Sequence, residues 1–319
     1  MMDVNHVKQI TVLGAGTMGT GLALIFARAG YPVWLYSIPD PTLDKALTVI
    51  KSALEAMVSA GVAAAKEIPA VLGRITISTS LEQVCGSDFF VEAVAERIDV
   101  KQELYEKLDA LCPEHAVIAS NTSFLNIFPA MPERRLPNTA IAHFFAPPHI
   151  VPLVEVVRGE KTSDETIRFL LEILRKADRV PVVMEKYVPG FCINRIQSAI
   201  GNEVYHLLDN GYMTPEDLDL AVKASLIPRA MVLGLVQRYD FTGIDLTLQN
   251  LKNKTYTYPE YTAPPKCLAD KAALGNLGVK SGKGFYDYSD RPLEQVLAER
   301  DAALLQVLDS VKEFINKHV

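Results

Sequence analysis

The chain has 319 residues, 49% of them hydrophobic and 22% charged, which is the balance of a soluble globular protein long enough for two packed domains. A formal net charge of -6 leaves no broad basic surface for phosphate backbones, so nucleic acid is excluded as a partner. Cys85, Cys112, Cys192 and Cys267 have neither metal-ligand spacing nor a disulfide pattern, so the expectation is a reducing cytoplasm and no metal centre.

The N-terminal segment is apolar enough to resemble a secretion signal, but its glycines and Arg28 argue against one. The apolar stretch 46–65 carries Lys51 and Glu55, and no run reaches the length a bilayer demands, so no membrane segment is expected. Short β-branched runs alternate with helical patterns: Ile10–Leu13, Val33–Tyr36, Ile75–Ile77, Phe89–Glu92, Val117–Ala119, Ala140–Phe144, Val154–Val157 and Val180–Val183. Such alternation predicts a mainly parallel sheet with crossover helices, an α/β Rossmann-like domain. Among the helices, Asp164–Ala177 places Ile167, Leu170, Leu171 and Leu174 on one face, with Ser163 as its cap.

After Val188-Pro189-Gly190 the pattern becomes helical, with Ile193–Leu208 and Pro215–Lys223 as helices, the latter capped by Thr214. The stretch Thr255–Pro265 reads as a loop. The expected division is a nucleotide-binding domain over 1–187 and an all-α domain over 188–319.

Gly14-Ala15-Gly16-Thr17-Met18-Gly19 follows the first strand and opens a helix. The first glycine permits the tight turn, the second lets backbone approach a pyrophosphate, and the third lets helix pack on strand. The helix N-terminus offers N–H groups to phosphates, so a dinucleotide is expected here. The acid that usually binds the adenine ribose, about twenty residues beyond the motif, is replaced by Ser37. Serine bonds a ribose hydroxyl without repelling a 2′-phosphate, so NAD is the expected cofactor and NADP stays possible. Asp40 is either an acid reaching in from the next turn or a loop residue before Pro41.

Polar residues interrupt apolar surroundings at Glu92 to Glu96 with Lys101, at Ser120-Asn121-Thr122-Ser123, and from His143 to Glu155. Moving a hydride from a carbinol carbon requires the hydroxyl proton to leave as well. Histidine suits that task near neutrality, and a carboxylate on its far nitrogen fixes the tautomer. His143 and Glu155 form such a pair if the chain between them folds back; alternatively His143 is a packing residue. Glu155, inside Leu153-Val154-Glu155-Val156-Val157, needs a partner because a lone buried carboxylate is costly.

In order along the chain, GAGTMG, EAVAERIDVKQELYEKLD, SNTSF, HFFAPPHIVPLVEVVRG, VPGFCINRI and LGVKSGKGFYDY resemble the L-3-hydroxyacyl-CoA dehydrogenase family nearly end to end. The resemblance implies a Rossmann-like domain followed by a helical domain that builds a homodimer. It further implies His143 as base, Glu155 as its partner, Ser123 and Asn194 on the substrate oxygens, and Glu96 and Lys101 at the nicotinamide-ribose end, with Asn121 beside them. Read without the family, Asn121 to Ser123 is a strand-end turn and Asn194 a helix cap. Ala146 departs from the family's HFFNP, removing an amide close to the histidine.

Two substrate branches stay open. HFF is nearer the acyl-CoA type, whereas the segment Asn194 to Ala199, Ile227-Pro228-Arg229-Ala230 and the tail Ala298 to Leu305 resemble relatives acting on free hydroxy acids, such as L-gulonate, carnitine or a pyridine carboxylate. The arm that would meet CoA offers only Lys45, Lys51, Lys66 and Arg74. Arg229 is either a carboxylate clamp or a helix-end cation facing solvent. A different class of answer is a nucleotide-binding structural or sensory protein without turnover.

Overall fold

The structure, a computed structural model, describes residues 4–253 and 257–315. All eight β-branched runs form strands: β1 (Ile10–Leu13), β2 (Val33–Tyr36), β3 (Ile75–Ser78), β4 (Phe89–Glu92), β5 (Val117–Ser120), β6 (Thr139–Phe144), β7 (Leu153–Val157) and β8 (Val180–Met184). They make one sheet in the order β3-β2-β1-β4-β5-β6-β7-β8. Every pairing is parallel except β6 with β7. The reason is length: residues 145–152 between them fall short of the roughly dozen residues a parallel crossover needs.

The crossovers of the sheet are α1 (Thr17–Arg28), α2 (Pro41–Ser59), α3 (Glu67–Leu72), α4 (Leu81–Val84), α5 (Ile98–Leu111) and α6 (Asp164–Lys176). In α6 the Ser163 hydroxyl accepts the Thr166 N–H at 3.2 Å, and Ile167, Leu170 and Leu174 are buried together with Phe169 and Ile173. Leu171 is only partly buried.

Because strand side chains alternate, the two faces of the sheet bury different sets. Phe89, Val91, Ala142 and Phe144 face α1 and α6, where Phe26, Phe89 and Phe169 meet edge to face with centroids 5.7 and 5.5 Å apart. Phe90, Ile118, Ile141 and Val157 face α5, against Leu104, Tyr105 and Leu108. The same alternation carries Glu92, His143 and Glu155 onto the α5 face near the strand ends.

The chain divides between Asn194 and Arg195 into two compact units. The second is helical: α7 (Ile193–Asp209, beginning just before the division), α8 (Pro215–Ala221), α9 (Ile227–Leu233), α10 (Gln237–Thr242), α11 (Ile244–Asn253), α12 (Lys266–Ala273) and α13 (Leu293–Ile315). Thr214 caps α8 by accepting the Asp217 N–H at 3.1 Å. The helix expected over Pro215–Lys223 stops sooner, and a π-helical turn over Val222–Leu226 leads into α9. Pro228 has no N–H to return to the preceding turn, so the ladder loosens there. Residues 257–265 are irregular, as expected for a loop, while Thr255 and Tyr256 lie outside the described residues. No helix among the described residues is long and apolar enough to cross a membrane.

Candidate active site

The glycine-rich turn joins β1 to α1 at the point where the sheet order reverses, since β1 lies between β2 and β4. Gly14 has φ +107°, and a Cβ there would stand 2.5 Å from the Ala93 carbonyl oxygen. A Cβ on Gly19 would fall 1.8 Å from the Gly14 oxygen. Both glycines are therefore required by the turn itself. Gly16 differs, because a Cβ there meets nothing within 4 Å. Its open face lies before the first turn of α1, which begins at Thr17 and has no side-chain cap, a cradle suited to a pyrophosphate. Met18 packs partly against the core.

At the end of β2, Ser37 is buried and its N–H donates to the Ser78 carbonyl at 3.3 Å. Asp40 caps α2: its Oδ1 accepts the N–H groups of Thr42 at 2.6 Å and Leu43 at 3.3 Å, and the Thr42 hydroxyl as well. That oxygen is committed to the helix.

His143 and Glu155 stand directly opposite each other in the β6–β7 ladder. The imidazole Nδ1–H donates to Glu155 Oε2 at 2.8 Å, with both side chains almost wholly buried. Glu155 Oε1 accepts the N–H groups of Cys192 at 2.9 Å and Ile193 at 2.8 Å, at the start of α7. Gly190 (φ +78°) and Phe191 (φ +51°) make the turn into that helix. Phe191 is fully buried with its ring 5.3 Å from the imidazole, and Phe145 stands 4.5 Å away on its own approach. Burial opposes ionisation of Glu155, but the bonds from His143, Ile193 and Cys192 outweigh it and hold the carboxyl below its ordinary range. With Nδ1 engaged, Nε2 is the nitrogen left to exchange a proton.

Glu96 fastens the turn that follows β5. Its Oε1 accepts the Thr122 hydroxyl at 2.5 Å, the Ser123 N–H at 2.8 Å and the Phe124 N–H at 3.2 Å. Burial raises the Glu96 carboxyl, yet Thr122, Lys101 and these N–H groups lower it overall. Asn194 Nδ2 donates to the Ser123 carbonyl at 3.3 Å, so Ser123 and Asn194 are brought together. Asn121 Oδ1 accepts the Phe144 N–H at 2.8 Å, tying β5 to the residue after His143. Lys101 is buried, with Nζ 2.6 Å from Glu92 and 3.3 Å from Glu96. Arg229 lies on α9, in the second unit, and donates to the Ser225 carbonyl and hydroxyl, both at 3.1 Å.

Residues 9–187 match the family described as "3-hydroxyacyl-CoA dehydrogenase, NAD binding domain", and residues 190–288 match its "C-terminal domain". The chain belongs to the 3-hydroxyacyl-CoA dehydrogenase family. The 5-formyl-3-hydroxy-2-methylpyridine 4-carboxylate 5-dehydrogenase of Mesorhizobium japonicum is 30% identical, over 94% of this chain and 97% of that one. A probable 3-hydroxybutyryl-CoA dehydrogenase of Bacillus subtilis is 34% identical, over 90% and 99%. Among solved structures, a 5-formyl-3-hydroxy-2-methylpyridine 4-carboxylic acid 5-dehydrogenase superposes with a TM-score of 0.84 at 28% identity, covering 96% of this chain and 99% of that one.

As a 3-hydroxyacyl-CoA dehydrogenase family member the chain carries an NAD-binding domain, and the cradle at Gly16 fits that cofactor. Two features of the site escaped the sequence reading. The first is the partner set of Glu92, although a carboxylate ending the fully buried strand Phe89-Phe90-Val91-Glu92 called for partners as plainly as Glu155 did. The second is the use of the α7 N–H groups, signalled by a helix start at Phe191-Cys192 without a Ser, Thr, Asp or Asn cap.

Gly16→Ala should leave stability within about 1 kcal/mol of wild type but weaken NAD binding tenfold or more, because the new methyl occupies the pyrophosphate face. Calorimetric titration with NAD alongside denaturant unfolding measures both, and unchanged affinity would refute the cradle. For Glu155, the folded carboxyl ionises below the ordinary value of 4.5, so its contribution to stability is present above that value and is lost as pH falls through the folded one. Glu155→Gln should therefore lower Tm near neutrality, with the gap from wild type closing below pH 4.5. Thermal scans across pH that show a constant gap would contradict this assignment.

Proposed function

We propose that the chain is an NAD-dependent dehydrogenase that oxidises a hydroxyl group of a small free hydroxy-carboxylate, with His143 as the base. The observation that carries this reading is the buried His143–Glu155 contact of 2.8 Å. A substrate hydroxyl donates to His143 Nε2, and the imidazolium formed as the proton moves is balanced by Glu155, which the Cys192 and Ile193 N–H groups keep ionised. Ser123 and Asn194 bond the substrate oxygens and hold its carbinol carbon in line. NAD would supply the hydride acceptor, and Glu96, backed by Lys101, would hold its ribose end. NAD is the preferred form because no cation follows Ser37 directly to hold a 2′-phosphate.

Three observations favour a free carboxylate over a CoA thioester. Over the same 96% of this chain, an extent that enters α13 beyond residue 288, where the family match stops, the pyridine-carboxylate dehydrogenase superposes with a TM-score of 0.84 and a 3-hydroxyacyl-CoA dehydrogenase of Archaeoglobus fulgidus with 0.66. Within the second unit, α13 packs against α9, the helix of Arg229. Of the cations on the arm that would meet CoA, Lys51 pairs with Glu55 at 3.6 Å and Arg74 donates to the Ala27 carbonyl at 3.3 Å. A second reading, a 3-hydroxyacyl-CoA substrate, is favoured by the likeness to the Bacillus subtilis enzyme. The second unit leaves large apolar side chains such as Val236 and Leu274 at 80% and 75% exposure, which supports a homodimer in which a second copy covers them.

His143→Ala should cut kcat by about a hundredfold or more with NAD affinity nearly unchanged, and a near wild-type rate would sink the assignment of the base. Arg229→Met should raise KM about tenfold or more for 3-hydroxybutyrate-like acids and leave 3-hydroxybutyryl-CoA unaffected. Wild-type turnover confined to the CoA ester, with Arg229→Met indistinguishable from it, returns the protein to the acyl-CoA branch.

A further inference from the structure

We propose that Glu92, which touches neither the base nor its carboxylate partner, is a positioning residue that sets the turn bearing Ser123. Glu92 is fully buried at the end of β4, in register with Leu13 before the glycine-rich turn and with Ser120 at the end of β5. Its carboxylate is saturated. Oε1 accepts the Val94 N–H at 2.9 Å and Lys101 Nζ at 2.6 Å, and Oε2 accepts the Tyr105 hydroxyl at 2.7 Å and the Ser120 hydroxyl at 2.6 Å.

Two routes lead from these contacts to one place. Ser120 Oγ, oriented by donating to Glu92, accepts the Thr122 N–H at 3.2 Å. Lys101, anchored on Glu92, also neutralises Glu96, whose other oxygen gathers Thr122, Ser123 and Phe124. Both routes end on the turn that Asn194 and Tyr187 hold from the opposite side, at 3.3 Å on the Ser123 carbonyl and 3.0 Å on the Phe124 carbonyl. A buried ion pair is poorly suited to raising stability, because apolar residues of the same volume commonly do as well or better. What apolar residues lack is direction: they could not keep Glu96 centred on three donors.

The inference rests on the reading that Ser123 contacts substrate. Glu92→Gln leaves Lys101 with Glu96 as its one carboxylate partner and draws Glu96 away from the turn. The expected result is a kcat at least tenfold lower with the Kd for NAD within about threefold of wild type, and little further loss when the change is made in a Ser123→Ala background. Losses that multiply independently in the two backgrounds overturn the inference while leaving the proposed function standing. Wild-type turnover in Ser123→Ala overturns the substrate-side reading and this one together. The charge-neutral pair Glu92→Gln with Lys101→Met tests a purely structural role: recovery of Tm without kcat is expected, and joint recovery of both refutes the positioning role. If Glu92→Gln does not fold, Ser120→Ala removes one route and leaves the ion pair. It should lower kcat severalfold with Tm nearly unchanged, and an unaltered kcat counts against the inference.

Discussion

A carboxylate at the heart of an apolar strand has to be surrounded by donors, and Glu155 meets that demand with three. One is the imidazole across the β6–β7 ladder and two are the first N–H groups of the chain entering α7. The helix gains an acceptor for its first N–H groups, and its dipole favours the negative charge it receives. His143 is thereby fixed in tautomer and orientation by a group that is itself immobile. The left-handed residues Gly190 and Phe191 belong to the same requirement, since they deliver those N–H groups. Phe191 tolerates its φ of +51° because its ring is wholly buried against the imidazole.

Beside this pair lies a second polar cluster with the same logic and a different sign of neighbour. Glu92 and Lys101 neutralise each other, and Tyr105, close by, has its hydroxyl pushed well above its ordinary pKa by burial and by the Glu92 charge. Tyr105 is thus a donor at any pH the protein meets. Inside a sheet and helix packed with Phe90, Leu104 and Leu108, such a fully satisfied network is rigid, because each hydrogen bond is stronger in a medium of low dielectric.

Much of this was legible in the residues. The eight strands stand out because β-branched runs of three to five residues alternate with helical spacing, and the glycine motif can be read because each glycine answers a separate steric need. What a linear reading leaves conditional is what depends on pairing across the sheet. The antiparallel turn at β6–β7 followed from a short connection, yet only the register puts His143 opposite Glu155. In sequence Asp40 has two roles open to it, and the local one prevails because an aspartate before Pro41 is the natural N-cap of α2. The break after Ala221 came from Pro228, whose missing N–H acts a full turn upstream of itself.

The reversal of direction at β7 has a consequence for how such a protein changes over time. Because the His143–Glu155 spacing is set by the hydrogen-bonded rungs of two neighbouring strands, it does not depend on the course of residues 145–152 between them. That loop is anchored by Pro148 against Gly21 of α1, but its exposed position 146 can exchange side chains while the His143–Glu155 pair keeps its geometry. Ala146, where the family resemblance implies an amide, is one such exchange. Under the proposed function, the proton-transferring pair and the loop beside it are in this sense separately heritable, and the loop can drift without the pair being rebuilt.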